Sequence, residues 1–184
     1  VLEAGVAKDH KPFVLRTLGE AYKIAGDLVA AESRLEEAIE LEADEPETHL
    51  LLAEVRLERE DASGVIASCK RVLDLTADYP EVHGLMGEAY GMQGQIGKAL
   101  EQCDLAAAVP GLSLEEKGMV EIRRARVLVD AQRYADAVRA YAQAIRQDSP
   151  LASEPWVRKE IGRLYESRYD ATGNRKNLQE AMRE

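Results

Sequence analysis

Glu20, Glu54 and Glu88 recur at a step of 34 residues, and the same column continues as Arg126 and Arg163. Set on one surface, the three carboxylates would form an acidic ladder for a basic ligand. The two guanidinium groups would suit an acidic one. The alternative is that Glu and Arg are simply common exposed helix formers. His49 and His83 share the step, as do Cys69 and Cys103. Metal ligation would need the histidines nearer than one step, so they read as helix-packing residues. Packed helices lie about 8–10 Å apart, whereas a disulfide needs Cα atoms within about 7 Å. With no C-x-x-C and no histidine at ligand spacing, the cysteines read as small buried residues. The run Gly91-Met92-Gln93-Gly94-Gln95-Ile96-Gly97 is not G-x-G-x-x-G and follows no strand, so it reads as an interhelix turn. The other carboxylates are scattered at helix-surface spacing, with no nucleophile elbow, zinc-protease or P-loop motif. The residues therefore indicate no enzyme, no cofactor and no metal.

These residues are placed by a period that runs through the chain. Pro80, His83, Glu88, Ala99, Cys103 and Ala106 sit over Pro46, His49, Glu54, Val65, Cys69 and Val72. Pro12, Glu20, Ala31, Leu35 and Ala38 fall in the same register. A constant step of this size implies stacked helix pairs. In the first pair, Leu15, Leu18, Ala21 and Tyr22 form one apolar stripe and Gly19 permits close approach of the second helix. Gly26-Asp27 breaks the helix, with Asp27 as cap, and Leu28, Ala31, Leu35, Ala38 and Leu41 face inward. Pro110-Gly111 interrupts the beat by about four residues, and Ser113-x-x-Glu116 reads as a capping box that starts the next helix near Leu114. A second extension surrounds Pro150–Ser153. The units are 12–45, 46–79, 80–117, 118–154 and an irregular 155–184, whose first helix runs through Tyr169 and breaks at Thr172-Gly173. Residues 1–11, with Val1, Ala4 and Ala7, read as the tail of a preceding helix. The last unit lacks a polar capping helix, so the chain reads as a fragment of a longer repeat protein.

Leu18-Gly19-x-x-Tyr22 with Ala31, Leu35 and Ala38 resembles the tetratricopeptide repeat. Met86-Gly87-x-x-Tyr90 with Ala99, Cys103 and Ala106, and Ile161-Gly162-x-x-Tyr165, do the same. The resemblance implies an all-α, right-handed superhelical solenoid of about five repeats. It further implies that the first helix of each repeat lines a concave groove that holds a peptide or protein partner. On that footing the groove is acidic in repeats 1–3 and basic in repeats 4–5. Its expected contact residues are Glu20, Glu54, Glu88, Arg126 and Arg163, the column Phe13 and Trp156, and the column Arg16, Leu50, Ile122 and Lys159. Gly84 and Gly91 would leave room in the third repeat. Glutamates at these sites would repel a terminal carboxylate, which argues against the chaperone-clamping use of the family.

Composition narrows the rest. The net charge is −10, and it is uneven: residues 1–110 hold 10 Lys/Arg against 22 Asp/Glu, residues 111–184 hold 14 against 12. That acidity argues against nucleic-acid binding. No apolar run approaches the roughly 20 residues of a membrane span. Neither the cysteines nor a visible leader decides the compartment, and the cytoplasm and a bacterial periplasm are both compatible. A second reading, from family habit, places the chain in a bacterial secretion or exopolysaccharide-export apparatus, recruiting an enzyme or guiding a cationic polysaccharide. A third is self-association through the open solenoid ends.

Overall fold

The computed structural model describes residues 11–76, 79–145 and 150–172. Within them the chain is all-helical: α1 (Lys11–Ile24), α2 (Leu28–Leu41), α3 (Pro46–Glu58), α4 (Ala62–Leu75), α5 (Pro80–Met92), α6 (Ile96–Ala108), α7 (Leu114–Asp130), α8 (Tyr134–Ala144), a 3-10 turn (Pro150–Ser153) and α9 (Pro155–Thr172). Of the expected helix tail at residues 1–11, only Lys11 is described, and it opens α1; residues 173–184 of the last unit also lie outside the described residues.

Each pair is made by local chemistry that repeats. Proline opens α3 and α5 at the first helical position, where its missing N–H is no loss. Asp27 accepts from the Ala30 amide and Asp61 from the Gly64 amide, each at 3.0 Å, capping α2 and α4. Ser113 and Glu116 close a reciprocal capping box at the start of α7, as their spacing predicts. First helices end alike. The amides of Asp27, Asp61, Gln95 and Arg133 bond back to the carbonyls of Tyr22, Arg56, Tyr90 and Leu128 at 2.8–3.0 Å. This closure needs a left-handed residue just before, supplied by Gly26 and Gly94 but also by Glu60 (φ 61°) and Gln132 (φ 57°). The extra residues before α7 become a full additional helical turn.

Packing follows the period. Ala31/Leu35/Ala38, Val65/Cys69/Val72, Ala99/Cys103/Ala106 and Ala137/Tyr141/Ala144 are all buried, one triplet per second helix. A methyl group on Gly19 would sit 2.7 Å from Leu35 Cγ, so the closeness of α1 to α2 depends on that glycine. The expected faces are not buried throughout. Leu18 is half-buried, while Ala21, Tyr22 and Leu41 stand exposed, because they lie on faces of the first pair that no described helix covers.

The first helices of successive units pack on one another, α1 with α3, α3 with α5 and α5 with α7. Each second helix packs in turn on the first helix of the next unit, α2 on α3, α4 on α5 and α6 on α7. The first helices therefore form the inner wall of the stack and carry its shared surface.

Candidate functional site: the inner wall

The column that begins at Glu20 is a set of ion pairs between neighbouring first helices. Glu20 itself is exposed. Glu54 on α3 is held by Lys23 of α1, which also lies 3.8 Å from Glu58. Glu88 on α5 meets Arg123 Nε at 3.1 Å and Arg126 at 3.6 Å, both from α7. Arg126 then forks onto Glu160 of α9, at 2.6 and 3.2 Å. The Tyr141 hydroxyl donates to the same carboxylate at 2.9 Å from the second-helix layer. Burial beside Glu160 pushes the Tyr141 phenol well above its usual range. Burial alone would lower the Arg126 pKa, but the hydrogen bond and charge of Glu160 more than offset it, so the guanidinium is held above its usual value.

The remaining expected contact residues fall into three groups. Phe13 and Trp156 are exposed, Phe13 by 59%, with the Arg16 guanidinium 5.6 Å from its ring centre. Arg16 donates to Glu45 at 2.9 Å, Leu50 is half-buried, and Lys159 and Arg163 are exposed. Ile122 departs from expectation. It is fully buried in the cluster formed by α7, α8 and α9, so the inward column becomes core at that unit. The room expected at Gly84 is also filled, since the Arg123 side chain lies across it and a Cβ there would fall 2.1 Å from its terminal nitrogen. Gly91 is buried, with Val127 of α7 nearest to where its Cβ would be.

Lys23, Arg123 and Glu160 were missed in the sequence because they sit three positions from the aligned column. On a helix that is one turn along the same face, so adding the third neighbour to each column would have found them.

Carboxylates still outnumber cations along α1, α3 and α5. Glu45 and Glu47 lie close enough for a carboxyl–carboxyl hydrogen bond, which raises the Glu45 pKa despite Arg16. Glu47 is lowered by the same bond.

The histidines and cysteines serve packing. His49 is buried and donates from Nε2 to the Ala43 carbonyl at 2.8 Å, while His83 Nδ1 lies 2.9 Å from the Gln102 side-chain oxygen. Among the described residues no cluster of His, Cys, Asp or Glu has the arrangement of a metal site. Both cysteines are free and buried, and burial pushes the thiols up to about 12 for Cys69 and about 11 for Cys103. At pH 8 both should be thiols and unreactive to a disulfide reagent until the chain is denatured. Because the folded pKa values exceed the ordinary value of 9.0, stability should be independent of these groups below about pH 9 and fall above it. Labelling by a thiol reagent at pH 8, with and without denaturant, checks this; fast native labelling would place the thiols outside the core.

The stack of helix pairs defines the class of solenoid repeat proteins. Residues 23–89 match the family model of the tetratricopeptide repeat. Solved structures agree at the level of fold. TTC0263, a thermophilic TPR protein of Thermus thermophilus, superposes with a TM-score of 0.71 at 19% identity, over 94% of this chain and 90% of that one. PilF of Pseudomonas aeruginosa gives 0.68 at 18% identity, over 95% and 78%. MamA of Desulfovibrio magneticus gives 0.69 at 15% identity, over 96% of each. Among curated protein sequences, none matches the chain. No helix among the described residues is long and apolar enough to cross a membrane.

Proposed function

We propose that the inner wall binds an extended segment of a protein partner, without catalysis. The basic part of that segment lies over α1, α3 and α5, and its acidic part meets Arg163 and the Arg126 end. The observation that carries this reading is the surplus of acid on the first three first helices. These helices carry Glu20, Glu47, Glu54, Glu58, Glu81 and Glu88 against Lys11, Arg16, Lys23 and Arg56, of which Lys11 and Arg56 are paired with acids of α2, while Arg126 of α7 is largely committed to Glu160. Glu54 and Glu88 are partly neutralised and Glu58 has Lys23 only at 3.8 Å, so the exposed Glu20, Glu47 and Glu58 carry most of the attraction. Leu50, Leu57 and the exposed Met92 on the same helices suit peptide side chains better than a hydrophilic polymer, which favours a protein segment over a polysaccharide.

The test is fluorescence anisotropy with a labelled decapeptide of alternating lysine and leucine. Neutralising three exposed acids together (Glu20→Gln, Glu47→Gln, Glu58→Gln) should weaken binding roughly tenfold at low salt, and added salt should erase the difference. Equal affinity for the triple variant, or for a peptide with glutamate in place of lysine, would sink the electrostatic reading.

A further inference from the structure

The additional first turn of α7 does more than lengthen a helix. It stands beyond the start of α5 and walls a cleft of about 700 Å³, lined by Tyr79, Glu81, Ser113, Glu115, Glu116, Met119, Val120 and Arg123. In that turn Leu114, Glu115, Glu116 and Lys117 are all exposed, so packing does not explain why the turn is there. The cleft has two chemistries. Met119 and Tyr79 are half-buried and Val120 is buried, giving apolar walls, while Glu81 and Glu115 are exposed acids contributed by opposite sides, α5 and α7. Glu116 is kept ionised, its pKa lowered by the hydrogen bonds to Ser113 in the capping box. Arg123, the one cation in the lining, turns its Nε toward Glu88 at 3.1 Å, so three carboxylates face a single guanidinium in the cleft.

We infer that this cleft takes a lysine or arginine side chain of the partner, its aliphatic stem against Met119, Val120 and Tyr79 and its charged head between Glu81 and Glu115. A long cationic side chain matches both chemistries at once, since its methylenes bury against apolar surface while the head stays among carboxylates. The inference rests on the peptide-binding reading above and adds a specific subsite to it, off the line of Glu20, Glu54 and Glu88.

The same lysine–leucine decapeptide provides the test, with Glu81→Gln/Glu115→Gln as the variant and Leu114→Ala, exposed in the same turn but outside the cleft, as the control. Neither pair member holds the capping box or an ion pair, so the fold should persist. The double variant should weaken binding roughly fivefold and the control should not. In the wild type, the backbone amide resonances of Val120 and Glu81 should shift on titration. If Glu20, Glu47 and Glu58 matter but the cleft variant binds like wild type and those resonances stay fixed, this inference falls and the groove reading stands. If neither set of variants changes affinity, both fall.

Discussion

Replacing Leu35 by alanine is expected to lower the unfolding free energy by about 3 kcal/mol. Leu35 is the largest side chain in the buried column of the first pair and has no exposed surface. It fills the space that Gly19 leaves open on α1, where an added Cβ would come within 2.7 Å of Cγ and 2.8 Å of Cδ2. The two positions should therefore couple. Gly19→Ala alone gains about 1 kcal/mol of helix propensity but incurs about 1–3 kcal/mol of overpacking. In the double variant the new methyl occupies part of the void left by Leu35, so the combined loss should be smaller than the sum by about 1 kcal/mol. Urea denaturation followed by circular dichroism measures all three. In a linear stack each unit touches only its neighbours, so the Leu35→Ala loss should appear as earlier melting of the first pair. A loss under about 1 kcal/mol, or strict additivity, would mean that α1 is not seated on α2 through this contact.

That contact shows why the helix pairs were legible. A step of 34 residues, small residues at Gly19 and Ala53, and alanine or valine at the ends of each second-helix triplet are one-dimensional signals of stacking, and the structure places all of them in the core. The caps at Asp27 and Ser113 were equally local. The inner wall was harder to read because its charges answer to residues that are distant in sequence. Glu54 is paired by Lys23 and Arg126 by Glu160, separations of 31 and 34 residues that column alignment does not report. The same limit hid the occupant of Gly84, since only three dimensions show Arg123 lying across it. Glu60 and Gln132 were overlooked for the opposite reason. Their left-handed backbone is imposed by the helix closure they complete, although neither is a glycine.

Position by position, the family pattern is an unreliable guide to stability, and Arg56 shows why. It stands where Tyr22, Tyr90 and Tyr165 stand in other units, so consensus would favour tyrosine. We expect Arg56→Tyr to destabilise the chain by about 2 kcal/mol. Arg56 leaves α3 and ties together three other groups: Nε donates to Glu32 at 2.8 Å and one terminal nitrogen to Glu36 at 2.7 Å, both on α2, while the other donates to Ser68 on α4 at 3.0 Å. Its side chain is 19% exposed and that of Glu32 only 13%, so the pair is shielded from water more than most surface ion pairs. A tyrosine there would leave Glu32 with Arg59 alone and bury a ring against a carboxylate. Removing the carboxylate as well should reverse the penalty. Arg56→Tyr combined with Glu32→Leu is expected to recover most of the loss, since replacing a buried ion pair with apolar groups is often neutral. Thermal and urea unfolding of the two single variants and the double variant form the cycle. A stabilising Arg56→Tyr, or a double variant no better than the single, would show that the ion pairs between α2 and α3 contribute nothing to the seating of the second repeat on the first.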